Sequence, residues 1–311
     1  MNISEREAAF WTFVRERHNI YEKRAEGLPP PWTNDPILRQ YSFTNVFRAA
    51  DRVSQELIRV QYGGSKEPAE IFLRTIIFRM FNLPSTYRYI DEYVGGVSMQ
   101  TWSWGLYCAA VSSLMAKGVT AYNGAYILPA AQAYGHQKKH ENLLHVVQAM
   151  IESGFHRTYT SATQLGTIYD VIRAFPLMGD FMASQLTFDL NYSTALDFDE
   201  DELVVAGLGA VRGAYKVRPG YDAVKLIGEY VANQDQYLVE LGLEPVRLFG
   251  VRSPHTIDIQ NCFCEFDKYC RVAHPEWAGA QGDGRTPQRI KRNYTMSTER
   301  MSYWFPPKWG V

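Results

Sequence analysis

Apolar residues recur at steps of three and four through most of the chain, and the elements this predicts are helices. In residues 42–62, Val46, Ala50, Val53, Leu57 and Val60 follow at steps of four, three, four and three, the apolar face of one amphipathic helix. Asn45, Arg48, Arg52, Gln55 and Arg59 form the opposite stripe, with Asp51 beside it. Residues 69–81 (AEIFLRTIIFRMF) read as a buried helix with Arg74 and Arg79 at its edges. Pro84 should stop it, and Ser85 offers an N-cap to the next helix. Further helical patterns cover residues 143–153, 163–175, 179–190, 221–241 and 258–269. Period-two alternation is rare and no βαβ succession is visible. The expected fold is mostly α: one compact helical domain over residues 1–284, then a tail over residues 285–311.

Composition narrows the partners. Of 311 residues, 46% are hydrophobic and 21% charged, and the formal net charge is -1, so any nucleic-acid contact must come from a local basic patch. The most basic stretch is the tail from Arg285, with six Lys/Arg against one Glu and Tyr294, Tyr303, Trp304, Phe305 and Trp309 interleaved. No apolar run reaches the roughly 18 residues of a membrane span, and the charged N-terminus lacks a signal-peptide pattern. Four cysteines without framework spacing fit a reduced, cytoplasmic protein. Aromatics make up 14% of the chain, which suits either a stacking surface or a densely filled core.

Three motifs carry candidate chemistry. The first is the glycine run LVVAGLGAVRG over residues 203–213. A dinucleotide fingerprint needs a strand before it and an acidic residue about 20 positions on; here the lead-in is acidic and Pro219-Gly220 breaks the chain soon after. The remaining readings are a glycine hairpin whose N–H groups at Gly207 and Gly209 hold a phosphate, with Arg212 alongside, or a tight turn between packed helices. The second motif, FPLMGDFMA over residues 175–183, matches the Leu-Pro-Gly-x-Gly-x-x-x-Ala hairpin of helix-hairpin-helix DNA glycosylases, except that Leu177 replaces the first glycine. In those enzymes a catalytic Asp lies about 16 residues beyond the Ala, the neighbourhood of Asp199 and Asp201 here. The third is residues 256–269, where Asp258, Asn261, Glu265 and Lys268 step three, four and three along one helix face, with Ile259, Phe263 and Phe266 opposite. That stripe is either a solvated face or, given its Phe and Cys neighbours, a partly buried set of carboxylates with shifted proton affinity. Cys262, Cys264 and Cys270 fit no zinc or iron–sulfur spacing and are expected to be buried thiols; no metal ligand set is expected.

Four blocks together resemble one family: residues 10–38, 41–52 (YSFTNVFRAADR), 181–216 and 257–269 (IDIQNCFCEFDKY). They look like the α-glutamyl/putrescinyl thymine pyrophosphorylases, whose domain also occurs as the helical part of 5-hydroxymethyluracil DNA kinases. That family is considered a divergent relative of helix-hairpin-helix glycosylases, in line with the hairpin match. Without a P-loop, the chain is similar to the stand-alone transferase and not to the kinase fusion. The resemblance implies a step of phage-type DNA hypermodification. An upstream kinase leaves a pyrophosphate ester on the 5-hydroxymethyl of uracil in DNA, and this enzyme replaces the pyrophosphate with a free amino acid or polyamine.

The resemblance also distributes roles. Asn45 and Arg48 would read the flipped base, with Asn261 and Glu265 lining the same site. Arg52, Arg79 and Lys268 would neutralise the pyrophosphate. Asp258, Asp201 or Asp51 would take the proton from the amine, with Asp258 favoured and Asp201 the glycosylase-like alternative. Arg289, Lys291, Arg292 and Trp304 of the tail would hold DNA phosphates and stack on exposed bases. Mg2+ is the one cofactor the reaction suggests, since pyrophosphate is a good ligand for it, but no carboxylate cluster demands it. The alternative readings are a DNA glycosylase on the same scaffold and a non-catalytic reader of modified DNA.

Overall fold

Helix-forming segments punctuated by Pro and Gly give the chain its architecture, and in the computed structural model the described residues are 2–124, 132–277, 290, 292–295 and 302–311. In chain order the helices are α1 (Glu5–Ala25), α2 (Pro36–Gln40), α3 (Arg52–Tyr62), α4 (Pro68–Phe81), α5 (Pro84–Val94), α6 (Trp104–Ala116) and α7 (Lys139–Glu152). They continue as α8 (Phe155–Ser161), α9 (Leu165–Arg173), α10 (Asp180–Tyr192), α11 (Leu208–Val217), α12 (Ala223–Glu240) and α13 (Thr256–Ala273). Among the described residues no β-strand forms, only isolated bridges at Tyr41–Asn293 and Leu248–Arg252. The residues divide into two units, Met1–Asp51 with Leu203–Val311, and Arg52–Glu202. The chain passes between them at Asp51–Arg52 and Glu202–Leu203, where the sequence offers no linker to mark the change.

The first unit is built on α1, α12 and α13. Their aromatic residues form one continuous stack: Phe10 lies 4.6 Å from Phe263, Trp11 5.0 Å from Tyr230, and Tyr230 5.5 Å from Phe263, centroid to centroid. Much of the chain's aromatic content is therefore core. Helix α11 packs on α13 through two glycines one turn apart. A Cβ at Gly209 would meet Cys264 Sγ at 2.5 Å, and one at Gly213 would meet the Phe263 carbonyl oxygen at 1.9 Å. The glycine run is thus no hairpin: Gly207 is the N-cap of α11, and Gly209 and Gly213 lie inside the helix, Gly209 against the Cys264 thiol and Gly213 against the Phe263 backbone, which admits only hydrogen there.

The second unit surrounds α4, buried without interruption from Ile71 to Phe81. Asn82 ends that helix in the left-handed region at φ 49, and Pro84 opens α5 at its first turn, so Ser85 lies inside α5 and does not cap it. Arg79 is a correction to the expected site. Its Nε and Nη2 reach both oxygens of buried Asp189 on α10 at 2.6 and 2.8 Å, and Nη1 donates to Asn82 Oδ1 at 2.6 Å. A guanidinium so committed ties α4 to α10 and is not available to a pyrophosphate. Helices α9 and α10 form a hairpin whose turn puts Leu177 at φ 67.

The Gly213 contact gives a direct test: Gly213→Ala should cost about 3 kcal/mol or more, since the opposing atom is backbone and cannot rotate away. Gly209→Ala faces a rotatable thiol and should cost less. Urea unfolding of both variants measures the difference.

Candidate active site

The expected helix over residues 42–62 is interrupted, and the interruption makes the site. Only residues from Arg52 onward form α3; Ser42–Phe47 is extended or irregular and Arg48–Ala50 is a short 3-10 turn. The reason is competition for backbone donors. The Asn45 N–H donates to Asp51 Oδ1 at 2.8 Å, and the Arg48 N–H donates to Asp258 Oδ1 at 2.8 Å. Asn45 Nδ2 closes the loop on the Ala50 carbonyl at 2.8 Å. Side chains, one of them 210 residues away, supply acceptors that a helix would have supplied locally.

The polar stripe of α13 is the surface to which this strap is tied. Lys268 Nζ donates to the Ser42 carbonyl at 2.7 Å and to Glu265 Oε2 at 2.6 Å. Glu265 Oε2 accepts the Thr44 N–H at 3.1 Å. Asn261 Nδ2 donates to Thr44 Oγ1 at 3.0 Å and to the Asn45 carbonyl at 3.1 Å. Asp258 completes the row: Oδ1 takes Arg48, and Oδ2 takes the His255 N–H at 3.1 Å as the cap of its own helix. From the other side, Arg17 on α1 donates through Nη2 to the carbonyls of Thr44 at 2.6 Å and Asn45 at 2.8 Å. The strap's leading edge meets the tail, with the Ser42 N–H on the Arg292 carbonyl at 3.0 Å and the Tyr294 N–H on the Gln40 carbonyl at 2.9 Å.

The structure therefore gathers Asn45, Arg48, Asp51, Asp258, Asn261, Glu265 and Lys268 around one strap. Their electrostatics differ. Asp258 is 3% exposed, and burial raises its carboxyl above the ordinary range despite the N–H bonds from Arg48 and His255. Asp51 is half-buried, and desolvation pushes it up to about 7 against the lowering effect of the Asn45 N–H and the guanidinium groups of Arg17 and Arg48, while Glu265 adds to the rise. Burial likewise lifts the Cys262 thiol to about 11, so it stays protonated at neutral pH.

Arg52, Arg79 and Asp201 belong to the second unit. Arg52 is exposed at the start of α3, and Asp201 is half-buried in the 3-10 turn Glu200–Glu202, its N–H on Asp199 Oδ1 at 2.9 Å. Arg212 pairs with buried Asp267 at 3.3 Å, which also holds Lys216 at 2.8 Å and Arg271 at 2.7 Å. In the tail, Arg292 is exposed and Trp304 half-buried, while Arg289 and Lys291 lie outside the described residues. Tyr303 packs on Tyr21 at 5.0 Å and Arg252 stacks over Trp309 at 3.9 Å, so the described tail aromatics include core contacts. Arg17 escaped sequence reasoning, yet a signal existed: Phe10, Val14, Arg17 and Tyr21 step four, three and four, so an arginine occupies the apolar face of α1.

With this geometry in hand, comparison with known proteins is decisive at the level of family. Residues 4–279 match the family described as 5-hmdU DNA kinase, helical domain. The chain belongs to that family. A 5-hmdU DNA kinase of Bacillus phage SP10 is 26% identical over 318 residues, covering 94% of this chain and 48% of the phage protein. The chain thus spans about half the length of that relative. No solved structure matches. Among the described residues, no helix is long and apolar enough to cross a membrane.

The two site carboxylates should respond oppositely to substitution. Asp51 binds its proton more tightly folded than unfolded, so between its ordinary value near 4 and about 7 the folded state holds more protons and stability falls as pH rises. Asp51→Asn should therefore be more stable than wild type at pH 8, by about 0.5–2 kcal/mol, and nearly equal to it at pH 4. Asp258→Ala strands the Arg48 and His255 N–H groups and should cost about 2–4 kcal/mol. Thermal melts across pH check both.

Proposed function

We propose that this helical domain modifies thymidine-type bases in DNA, replacing the pyrophosphate of 5-(pyrophosphoryloxymethyl)uracil with the amine of an amino acid or polyamine and releasing pyrophosphate. The observation that carries the reading is the strap on α13: two desolvated carboxylates, Asp51 and Asp258, beside Arg17 and Arg48 on a strap that Lys268 also holds, in a chain of the 5-hmdU DNA kinase helical-domain family. Pyrophosphate leaves readily once its charge is neutralised, and Arg48 and Lys268 are the cations that the strap and α13 bring to the site. Departure leaves an electron-poor exocyclic methylene conjugated with the uracil ring. The attacking amine is an ammonium at neutral pH and must first lose a proton, which a carboxylate with raised proton affinity can accept.

The target base must leave the helical stack to meet such a site, and Asn45 offers an amide for its edge. The α9–α10 hairpin supports a DNA substrate. Leu177 adopts the left-handed conformation at φ 67, at the position where helix-hairpin-helix glycosylases carry glycine, so the turn keeps a glycine-type backbone without the glycine. Exposed Arg292, half-buried Arg212 and the N-terminus of α11 at Gly207 would meet the DNA backbone, together with Arg289, Lys291 and Trp304 of the tail.

The test is mass spectrometry of nucleosides digested from DNA carrying pyrophosphorylated 5-hydroxymethyluracil, after incubation with the protein and a mixture of amino acids and polyamines. A nucleoside heavier by one amine, with stoichiometric pyrophosphate, is the expected result. Release of free base would instead make the protein a glycosylase, and unchanged DNA would make it a reader.

A further inference from the structure

Asp51 and Asp258 both face the strap, but their valences are used differently. Asp258 has both oxygens engaged: Oδ1 accepts the Arg48 N–H, Oδ2 accepts the His255 N–H, and the residue is 3% exposed. Its bonds are those of a helix cap and a strap anchor. Asp51 accepts one bond, from the Asn45 N–H to Oδ1, and among the described residues Oδ2 accepts none. The residue is crowded enough for desolvation to dominate its proton affinity, yet solvent still reaches it. A carboxylate that is crowded, fixed through one oxygen and open at the other is arranged to exchange a proton with a ligand.

We propose that Asp51 is the catalytic carboxylate that takes the proton from the incoming amine, and that Asp258 and Glu265 are positioning residues that hold the strap bearing it. This rests on the transfer reaction proposed above and names the base within it. In the step, Asp51 Oδ2 removes one proton from R–NH3+, giving Asp51–COOH and R–NH2. The amine lone pair forms the C–N bond to the exocyclic methylene, and the C–O bond to pyrophosphate breaks with its electron pair leaving on pyrophosphate. The product is a secondary ammonium that needs no further proton loss at neutral pH, and Asp51 returns its proton to solvent. The charged and titratable groups facing Asp51 in its own unit are Arg17 from α1, Arg48 from the 3-10 turn, Glu265 from α13 and Tyr303 from the tail. The two arginines keep its affinity from rising further, and Glu265 opposes them. The balance sits near neutral pH, where Brønsted behaviour favours a base.

The experiment is a comparison of Asp51→Asn, Asp51→Glu, Asp258→Asn and Asp201→Asn with wild type. It follows pyrophosphate release from DNA carrying pyrophosphorylated 5-hydroxymethyluracil across pH 5 to 9, and binding of DNA carrying 5-hydroxymethyluracil. Wild type should show a rising limb in kcat/KM, the profile that follows the free enzyme's groups, centred near pH 7. Asp51→Asn keeps an acceptor for the Asn45 N–H, so it should fold and bind DNA within about twofold of wild type. Its kcat should nevertheless fall by roughly 10²–10⁴-fold and the limb should vanish. Asp51→Glu should restore the limb at reduced kcat, which separates loss of the base from loss of fold. Asp258→Asn should lower the melting temperature and retain the limb. Two results would overturn the assignment: Asp51→Asn with a near-wild-type rate and an intact limb, or Asp201→Asn or Asp258→Asn that stays folded and abolishes it. Wild type that releases no pyrophosphate at any pH would instead sink the transfer reaction, and the assignment with it.

Discussion

A carboxylate buried without partners is intolerable, and an extended backbone segment buried without partners is equally so; in the first unit each problem is the other's solution. Asp258 and Glu265 on α13 accept N–H groups from Arg48 and Thr44, while Asn261 and Lys268 donate to the carbonyls of Asn45 and Ser42. A segment that could have been helical is held open because its donors and acceptors are better satisfied by side chains across the interface. Everything else at the site follows from this exchange, including the placement of Asp51, whose own carboxylate folds the strap back on Asn45.

The exchange also explains which parts of the site the sequence could reveal. The α13 stripe was legible because its spacing of three, four and three is a property of one helix, and the helix formed over Thr256–Ala273. The strap was not legible. Its apolar residues keep the helical period from Val46 into α3, and the partner that breaks the helix lies 210 residues away in the chain, beyond the reach of a local window. Arg79 misled for a related reason. An arginine at the edge of an apolar helix looks like a ligand-binding cation until Asp189, on a helix more than a hundred residues on, is seen to take both of its forks. Helix existence was well marked elsewhere, at α4, α7, α9, α10 and α12, because amphipathic period and Pro or Gly boundaries coincide there. The glycine run was legible as unusual, but whether glycine serves a turn or a close approach depends on what lies opposite, here the backbone of Phe263.

The charged clusters divide by what they hold. Asp267 gathers Arg212, Lys216 and Arg271 and is kept below the usual carboxylate range, because Lys216 and Arg271 outweigh the burial that would raise it. That is an ionic knot tying α11 to α13. Asp51 shows the reverse balance, with desolvation prevailing over two arginines. Two aspartates in one unit, both near guanidinium groups, thus end on opposite sides of their ordinary proton affinity. The difference lies in direct pairing: Asp267 touches its cations, whereas the hydrogen bond that Asp51 accepts comes from a backbone amide.

The bare flank of α11 also fixes more than a packing distance. On one side of α13, glycine lets backbone meet backbone; on another, four polar side chains reach the strap in register. An α-helix turns about 100° per residue, so even a small roll of α13 would drive Phe263 into α11 and withdraw its carboxylates from the amides they serve. The helix is locked in rotation like a key with cuts on two edges. The depth of the glycine notch therefore sets the angular position of every group that holds the strap.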